Sequence, residues 1–259
     1  MRAVSIRRAG PPESLECGDM PLREAGDGEV RIRVHRAGVN FADVLARQGI
    51  YPDAPKPPFV PGYEVSGVVE SAGKGADGLR AGDRVAAFTR FGGYAEFALA
   101  DARFAVPLTP DIDFPTAAAV PVNFATAYHC LFRTGPLSPG DRVLIHAAAG
   151  GVGLAAVQMA KGAGAELFGT AGSGEKIDFL RTIKLLESSR GFFGVNILRI
   201  FDHRPALGAV LLRAAFDIVG RGEAHPVIAA EIPLERAGEA HRLLHSRTSI
   251  GKIVLTVRD

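Results

Sequence analysis

Val143-Leu144-Ile145-His146-Ala147-Ala148-Ala149-Gly150-Gly151-Val152-Gly153 is the stretch whose reading decides the fold. The apolar run 143–147 predicts a short strand, and the segment 152–162 predicts a helix. The glycines between them predict a tight turn. The pattern is Ala-x-Gly-x-x-Gly, with Ala148 at the place of the first glycine in the dinucleotide fingerprint. Such a turn lets backbone N–H groups approach a pyrophosphate, and the positive end of the helix dipole favours that anion. Gly150, Gly151, Val152 and Gly153 are therefore candidate cofactor-binding residues of a nicotinamide-dependent oxidoreductase. The same turn can also join a strand to a helix with nothing bound.

Downstream, Glu166 to Thr170 reads as the second parallel strand. An NAD site normally carries Asp or Glu about 20 residues beyond the glycines, on the ribose 2′-hydroxyl. Here the chain reads Thr170-Ala171-Gly172-Ser173-Gly174, with no carboxylate to repel a 2′-phosphate. Ser173 offers a hydrogen bond and Lys176 a point charge. Thr170, Ser173 and Lys176 thus join the cofactor set, and NADPH is the expected cofactor. Further on, Ile177, Leu180, Ile183 and Leu186 recur at helical spacing, so 175–189 reads as a helix. Gly191 to Leu198 reads as a third buried strand and Ala206 to Val219 as a helix. Pro233 begins a last helix reaching His245, and 253–257 closes the chain as a strand.

Upstream, the first 110 or so residues are rich in Gly, Pro and alternating apolar residues. Val30 to Val34, Glu64 to Glu70 and Arg84 to Phe88 read as strands, and Asn40 to Gly49 as a short helical piece. Phe114 to Phe132 is helix-like, with Pro121 expected to split it near Val120.

Composition agrees with a soluble globular chain: 47% hydrophobic, 22% charged, 259 residues. A net charge of +2 gives no electrostatic case for nucleic acid. No apolar run approaches the ~18 residues of a membrane span. Two cysteines, Cys17 and Cys130, make neither a disulfide framework nor a cysteine zinc site. A cytoplasmic location is expected.

Several stretches together resemble the zinc-independent quinone oxidoreductase branch of the medium-chain dehydrogenase/reductase superfamily, with the vesicle-amine-transport-protein-like members most similar. They are Ala37 to Asp43, Pro61 to Gly67, Pro121 to Tyr128, the glycine turn, and Gly251-Lys252-Ile253-Val254-Leu255. The resemblance implies an α/β protein: a GroES-like β domain plus an abbreviated Rossmann-like parallel sheet with helices on both faces. It places a substrate domain at 1–115, completed by 225–259, and a truncated nucleotide-binding domain at 116–224. It implies metal-free, NADPH-dependent hydride transfer to a small-molecule quinone or conjugated enone. Zinc-dependent relatives carry Cys where this chain has Asn40 and His where it has Tyr63, and amide and phenol are poor zinc ligands beside thiolate and imidazole.

The resemblance also implies Asn40 and Tyr51 near the nicotinamide and the acceptor oxygen, and Thr126 near the cofactor. Each has a local alternative. Asn40 can cap the following helix, Tyr51 can pack in its loop, and Thr126 can bond its own helix carbonyls. Glu64 and Asp43 are expected in structural links to Arg. Arg247 has a reading as a phosphate contact and one as a surface residue. His129 and Cys130 read as core, and His241 and His245 as a solvated helix face.

In the family, three more strand units separate the counterparts of Arg181 and Thr182, which adjoin here. The shortfall is roughly 70 residues, two to three βα units. The shortened sheet would leave an edge of unpaired backbone groups that a homodimer could cover. An alternative to the enzyme is therefore a catalytically impaired remnant that binds small molecules or oligomerises.

Overall fold

The computed structural model describes residues 1–172 and 195–258. In chain order the first half holds β1 (Arg2–Ile6), β2 (Leu15–Asp19), β3 (Glu29–Val39), α1 (Phe41–Arg47), β4 (Glu64–Ala72), β5 (Arg84–Phe88), β6 (Phe97–Asp101) and β7 (Ala105–Pro107). After these come α2 (Phe114–Ala118), α3 (Asn123–Tyr128), β8 (Arg142–Ile145), α4 (Gly151–Gly162), β9 (Glu166–Gly169), α5 (Ile197–His203) and α6 (Pro205–Gly220). The tail holds β10 (Ile228–Pro233), α7 (Ala237–His245) and β11 (Lys252–Thr256).

β3 is the spine of the main sheet. Val30, Ile32 and Val34 alternate inward and are fully buried, as period-two apolar spacing requires. One side of β3 pairs with β4. The other side is shared: residues 29–33 pair with β6 and residues 36–39 with β11. The carboxy-terminal strand is therefore built into the sheet of the amino-terminal half, and β10 adds to it in parallel.

The segment 114–132 is broken as Pro121 dictates. α2 ends at Ala118 and α3 starts at Asn123, and α3 runs on into a wider helical turn over His129–Thr134. Proline has no N–H to give and crowds the preceding turn. α3 packs on α4 through small side chains: Ala127, Ala148, Ala149, Ala155, Ala156 and Ala160 share one core with Phe124, Ile145 and Met159.

One expectation is corrected. Of the strand expected over 191–198, the described part is not strand: α5 begins at Ile197. The Asn196 side chain caps it by accepting from Arg199 N at 3.4 Å, and Leu198 and Phe201 bury one face. Among the described residues the parallel sheet therefore has two strands, β8 and β9, in place of three. Pro233 ends β10 and also caps a single 3-10 turn, Leu234–Arg236, which runs into α7, so the helix expected from Pro233 to His245 is present. The helix expected at 175–189 lies outside the described residues.

Candidate functional site

The glycine turn forms where β8 stops. Ala148 N donates to Thr170 O (3.0 Å) and Thr170 N to Ile145 O (3.0 Å), which carries the pairing of β8 and β9 into the turn. The Thr170 hydroxyl accepts from Ala147 N at 3.3 Å and lies 3.1 Å from His146 Nδ1. Ala147 sits at φ 52°, the left-handed region, so the hydroxyl supports a turn that L residues adopt reluctantly. Gly150 occupies the N-cap of α4. A side chain at Gly153 would collide with the Ala147 carbonyl and the Ala148 backbone, so only glycine lets the helix sit this close to the strand. The N–H groups of Gly151, Val152 and Gly153 open the helix and have no intrahelical acceptor. Val152 is 37% exposed, so the turn faces outward. Donors, dipole and open approach fit a dinucleotide diphosphate.

The tail backs this turn. Gly150 and Gly251 form a parallel bridge, with Gly251 N donating to Ala149 O at 3.1 Å. Gly251 has φ 93°, and a Cβ there would strike the Val227 carbonyl.

The next residue, Lys252, enters a buried polar node. Its ammonium donates to Asn40 Oδ1 at 2.6 Å and to Glu64 Oε1 at 2.5 Å. Asn40 Nδ2 donates to the same Glu64 oxygen at 2.8 Å, and Val122 N, freed by the break at Pro121, donates to Glu64 Oε2 at 2.7 Å. Glu64 is fully buried, Lys252 4% exposed and Asn40 7% exposed. The expected Arg link for Glu64 is corrected: the cation is Lys252. A buried carboxylate is tolerable only with such pairing.

Among the described residues Asp43 pairs with no Arg either. It accepts from Asn40 N (2.8 Å), Gly62 N (2.9 Å) and the Tyr94 hydroxyl (3.2 Å). Complete burial lifts its pKa to about 7 against these donors and nearby Lys252. Tyr94 Oη also lies 3.3 Å from His241 Nε2, while Arg47 Nε donates to His241 Nδ1 at 3.2 Å. Because Nδ1 accepts, the proton of neutral His241 sits on Nε2 and points at Tyr94. His241 is fully buried, which corrects its expected place on a solvated face; burial and the Arg47 charge hold its pKa down at about 3. His245 is exposed.

Tyr51 is half-buried, with its ring 6.2 Å from that of Tyr63. Burial and the Asp53 carboxylate raise its pKa, and Asn196 Nδ2 donates to Asp53 Oδ2 at 2.8 Å. α5 closes over this wall: Phe201 stacks on Phe88 at 4.0 Å, Arg199 pairs with Asp53 at 3.1 Å and Arg90 with Asp202 at 3.0 Å. Thr126 donates to Val122 O at 2.6 Å, the local alternative foreseen for it. Asn40 and Thr126 are thus joined through Glu64 and Val122, and the glycine turn joins them through Gly251 and Lys252. Ser173 and Lys176 lie outside the described residues. Arg247 is exposed, with φ 57°. His129 and Cys130 are part-buried, and no described group bonds His129 Nδ1.

Sequence reasoning missed Lys252, Tyr94 and Arg47 as partners. A lysine leading the apolar run Ile253-Val254-Leu255 was the available signal, because charge in a buried strand requires a counter-charge.

Comparison with known proteins accords with this geometry. Residues 26–111 match the alcohol dehydrogenase GroES-like domain and residues 138–255 the zinc-binding dehydrogenase domain. Rat quinone oxidoreductase is 31% identical over 320 aligned residues, covering 98% of this chain and 97% of the relative. The chain belongs to the medium-chain dehydrogenase/reductase family, in its quinone oxidoreductase branch. The alignment runs over 320 positions while this chain has 259 residues, so this member lacks more than 60 positions within the aligned family sequence. The structure of the human synaptic vesicle membrane protein VAT-1 homolog-like protein superposes with a TM-score of 0.93 at 29% identity, over 100% of this chain and 98% of that one. Escherichia coli quinone oxidoreductase, in complex with NADPH, superposes with a TM-score of 0.82 at 26% identity, over 99% and 100%. Family membership makes this chain an NAD(P)H-dependent oxidoreductase.

Zinc does not fit the site. The Asn40 amide is engaged by Lys252 and Glu64, and the Tyr63 hydroxyl is buried without a partner among the described residues, its pKa raised by that burial. Neither is a thiolate or an imidazole. No helix among the described residues is long and apolar enough to cross a membrane.

Proposed function

We propose that this chain is a metal-free, NADPH-dependent reductase of quinones or conjugated enones. Its substrate part would be 1–115 with 225–259, and its nucleotide part 116–224. The observation that carries the reading is the covalent step from Gly251 to Lys252. Gly251 bridges to the glycine turn, and Lys252 bonds Asn40. The diphosphate cradle and the expected acceptor site are thereby held in one piece.

Gly150, Gly151, Val152 and Gly153 would hold the diphosphate, with Thr170 fixing the turn beneath it. Ser173 and Lys176 would take the 2′-phosphate. The described end of the second strand, Thr170-Ala171-Gly172, has no carboxylate, which favours the phosphorylated cofactor. Bound NADPH supplies a hydride. Asn40, Tyr51 and Thr126 surround the acceptor in this reading, with the Tyr51 hydroxyl on the half-buried edge of the aromatic wall as the proton-bearing group. A quinone or enone spreads the incoming charge over a conjugated anion, so a few hydrogen bonds suffice without a Lewis acid.

The second reading, a binding protein with little turnover, is favoured by the parallel sheet having two strands among the described residues and by the shortened family sequence. Titrating NADPH by its fluorescence and then adding a simple ortho-quinone separates the two. Saturable binding with quinone-dependent NADPH oxidation supports the reductase. Binding without oxidation supports the remnant, and absence of binding removes both cofactor readings.

A further inference from the structure

The cleft between the carboxy-terminal ends of α1 and α7 and the 9–12 loop has no part in the proposed reaction. It is an open cavity of about 600 Å³ whose wall includes Gly10, Arg47, Gln48, Arg242, His245 and Ser246. We propose that it binds a small anion carrying a carboxylate or phosphate group, gripped by Arg47.

Arg47 is 2% exposed, yet no carboxylate lies within ion-pair distance of it among the described residues. Glu13, whose charge is felt at Arg47, already pairs with Arg242. A guanidinium so largely withdrawn from water favours a counter-charge within hydrogen-bond reach, and Glu13 does not come that close. Its Nε donates to His241 and its Nη1 to Gly10 O. Nη2 has no acceptor among the described residues, on a side chain that lines the cleft.

The surrounding backbone does not supply the missing charge. The last carbonyls of α1 are occupied: Val44 O, Ala46 O and Arg47 O accept from Gln48, Gly49 and Gly10. Those of α7 are occupied too: Arg242 O and Leu244 O accept from Ser246 and Arg247, and Leu243 O from the Ser246 hydroxyl. The Gln48 amide and the His245 ring have no side-chain or backbone partner among the described residues, and both face the same cavity. Three convergent donors, a positive charge without a counter-ion and no acidic side chain in the wall fit a carboxylate or phosphate, which guanidinium binds in its plane.

The test uses the full chain with labelled histidine, followed by NMR of the ring nitrogens. Citrate and inorganic phosphate are titrated against chloride at matched ionic strength, with and without saturating NADPH. The expected result is saturable, concordant shifts of His245 and of His241, which touches the anion's Arg47 through Nε. R47M abolishes them. Q48A/H245Q, at less buried positions that leave the fold intact, weakens the affinity roughly tenfold or more as charge-assisted donors are lost. Equal shifts with chloride, shifts that persist in R47M, or shifts removed by NADPH would each overturn the proposal; the last would place the anion at the glycine turn. NADPH binding is scored in the same samples, so this site and the reductase reading fail separately.

Discussion

Lys252 Nζ donates to Asn40 Oδ1 at 2.6 Å, joining two residues 212 positions apart in the chain. The same ammonium meets Glu64, which is fully buried. Removing the lysine leaves that carboxylate without its cation. K252M is expected to lower stability by about 3–5 kcal/mol, read from urea unfolding. E64Q/K252M should recover part of that loss, since the stranded charge is gone. A K252M protein as stable as the parent would contradict the node.

Asp43 and His241 pull stability in opposite directions with pH. Asp43 keeps its proton to about pH 7 in the fold, against 3.8 ordinarily, so its contribution falls as pH rises from about 4 to 7. His241 titrates at about 3 in the fold, against 6.5 ordinarily, so its contribution rises from about pH 3 to 6.5 and is complete above that. Between about pH 4 and 6.5 each slope is at most about 1.4 kcal/mol per pH unit, and they offset each other. The parent should therefore show little pH dependence from this pair. D43N should gain stability as pH rises across that window, and H241Q should lose it. Unfolding midpoints measured at several pH values decide this, and parallel profiles for both variants would refute it.

Gly153 sits where a methyl group meets the Ala147 carbonyl. G153A should cost about 1–3 kcal/mol of stability as the helix is pushed from the strand. It should also weaken NADPH binding by about tenfold or more, because the amide donors move with the helix. V152A, at an exposed site, should change stability by no more than about 0.5 kcal/mol.

Y51F removes a half-buried hydroxyl from the aromatic wall, beside the Asp53 carboxylate. The expected outcome is an unchanged NADPH dissociation constant with quinone turnover reduced by about tenfold or more. An unaltered kcat would assign Tyr51 to packing alone.

The elements legible in the sequence were those fixed locally. Arg84–Phe88 forms the strand its composition predicts, and Pro121 breaks the helix where its missing N–H requires. The glycine turn was legible because strand, turn and helix are contiguous. Residues 195–198 were misread because a short apolar run has no period long enough to separate strand from buried helix. The Asn196 cap was the overlooked arbiter. The polar node was invisible because Asn40, Glu64 and Lys252 meet only after β11 pairs with β3, and local sequence does not encode that pairing. His241 was misplaced for the same reason: its partners, Tyr94 and Arg47, come from distant elements.

If the glycine turn and the Asn40 node form one working site through Gly251 and Lys252, hydride passes from NADPH held at the first to a quinone held at the second. Single-turnover oxidation of NADPH bound to the full chain, started by an ortho-quinone and followed by NADPH fluorescence, tests it most directly. The account predicts a single-exponential loss of signal in the parent, with slowed oxidation in Y51F despite equal NADPH loading. NADPH that binds stoichiometrically but stays reduced in the presence of excess quinone would contradict it.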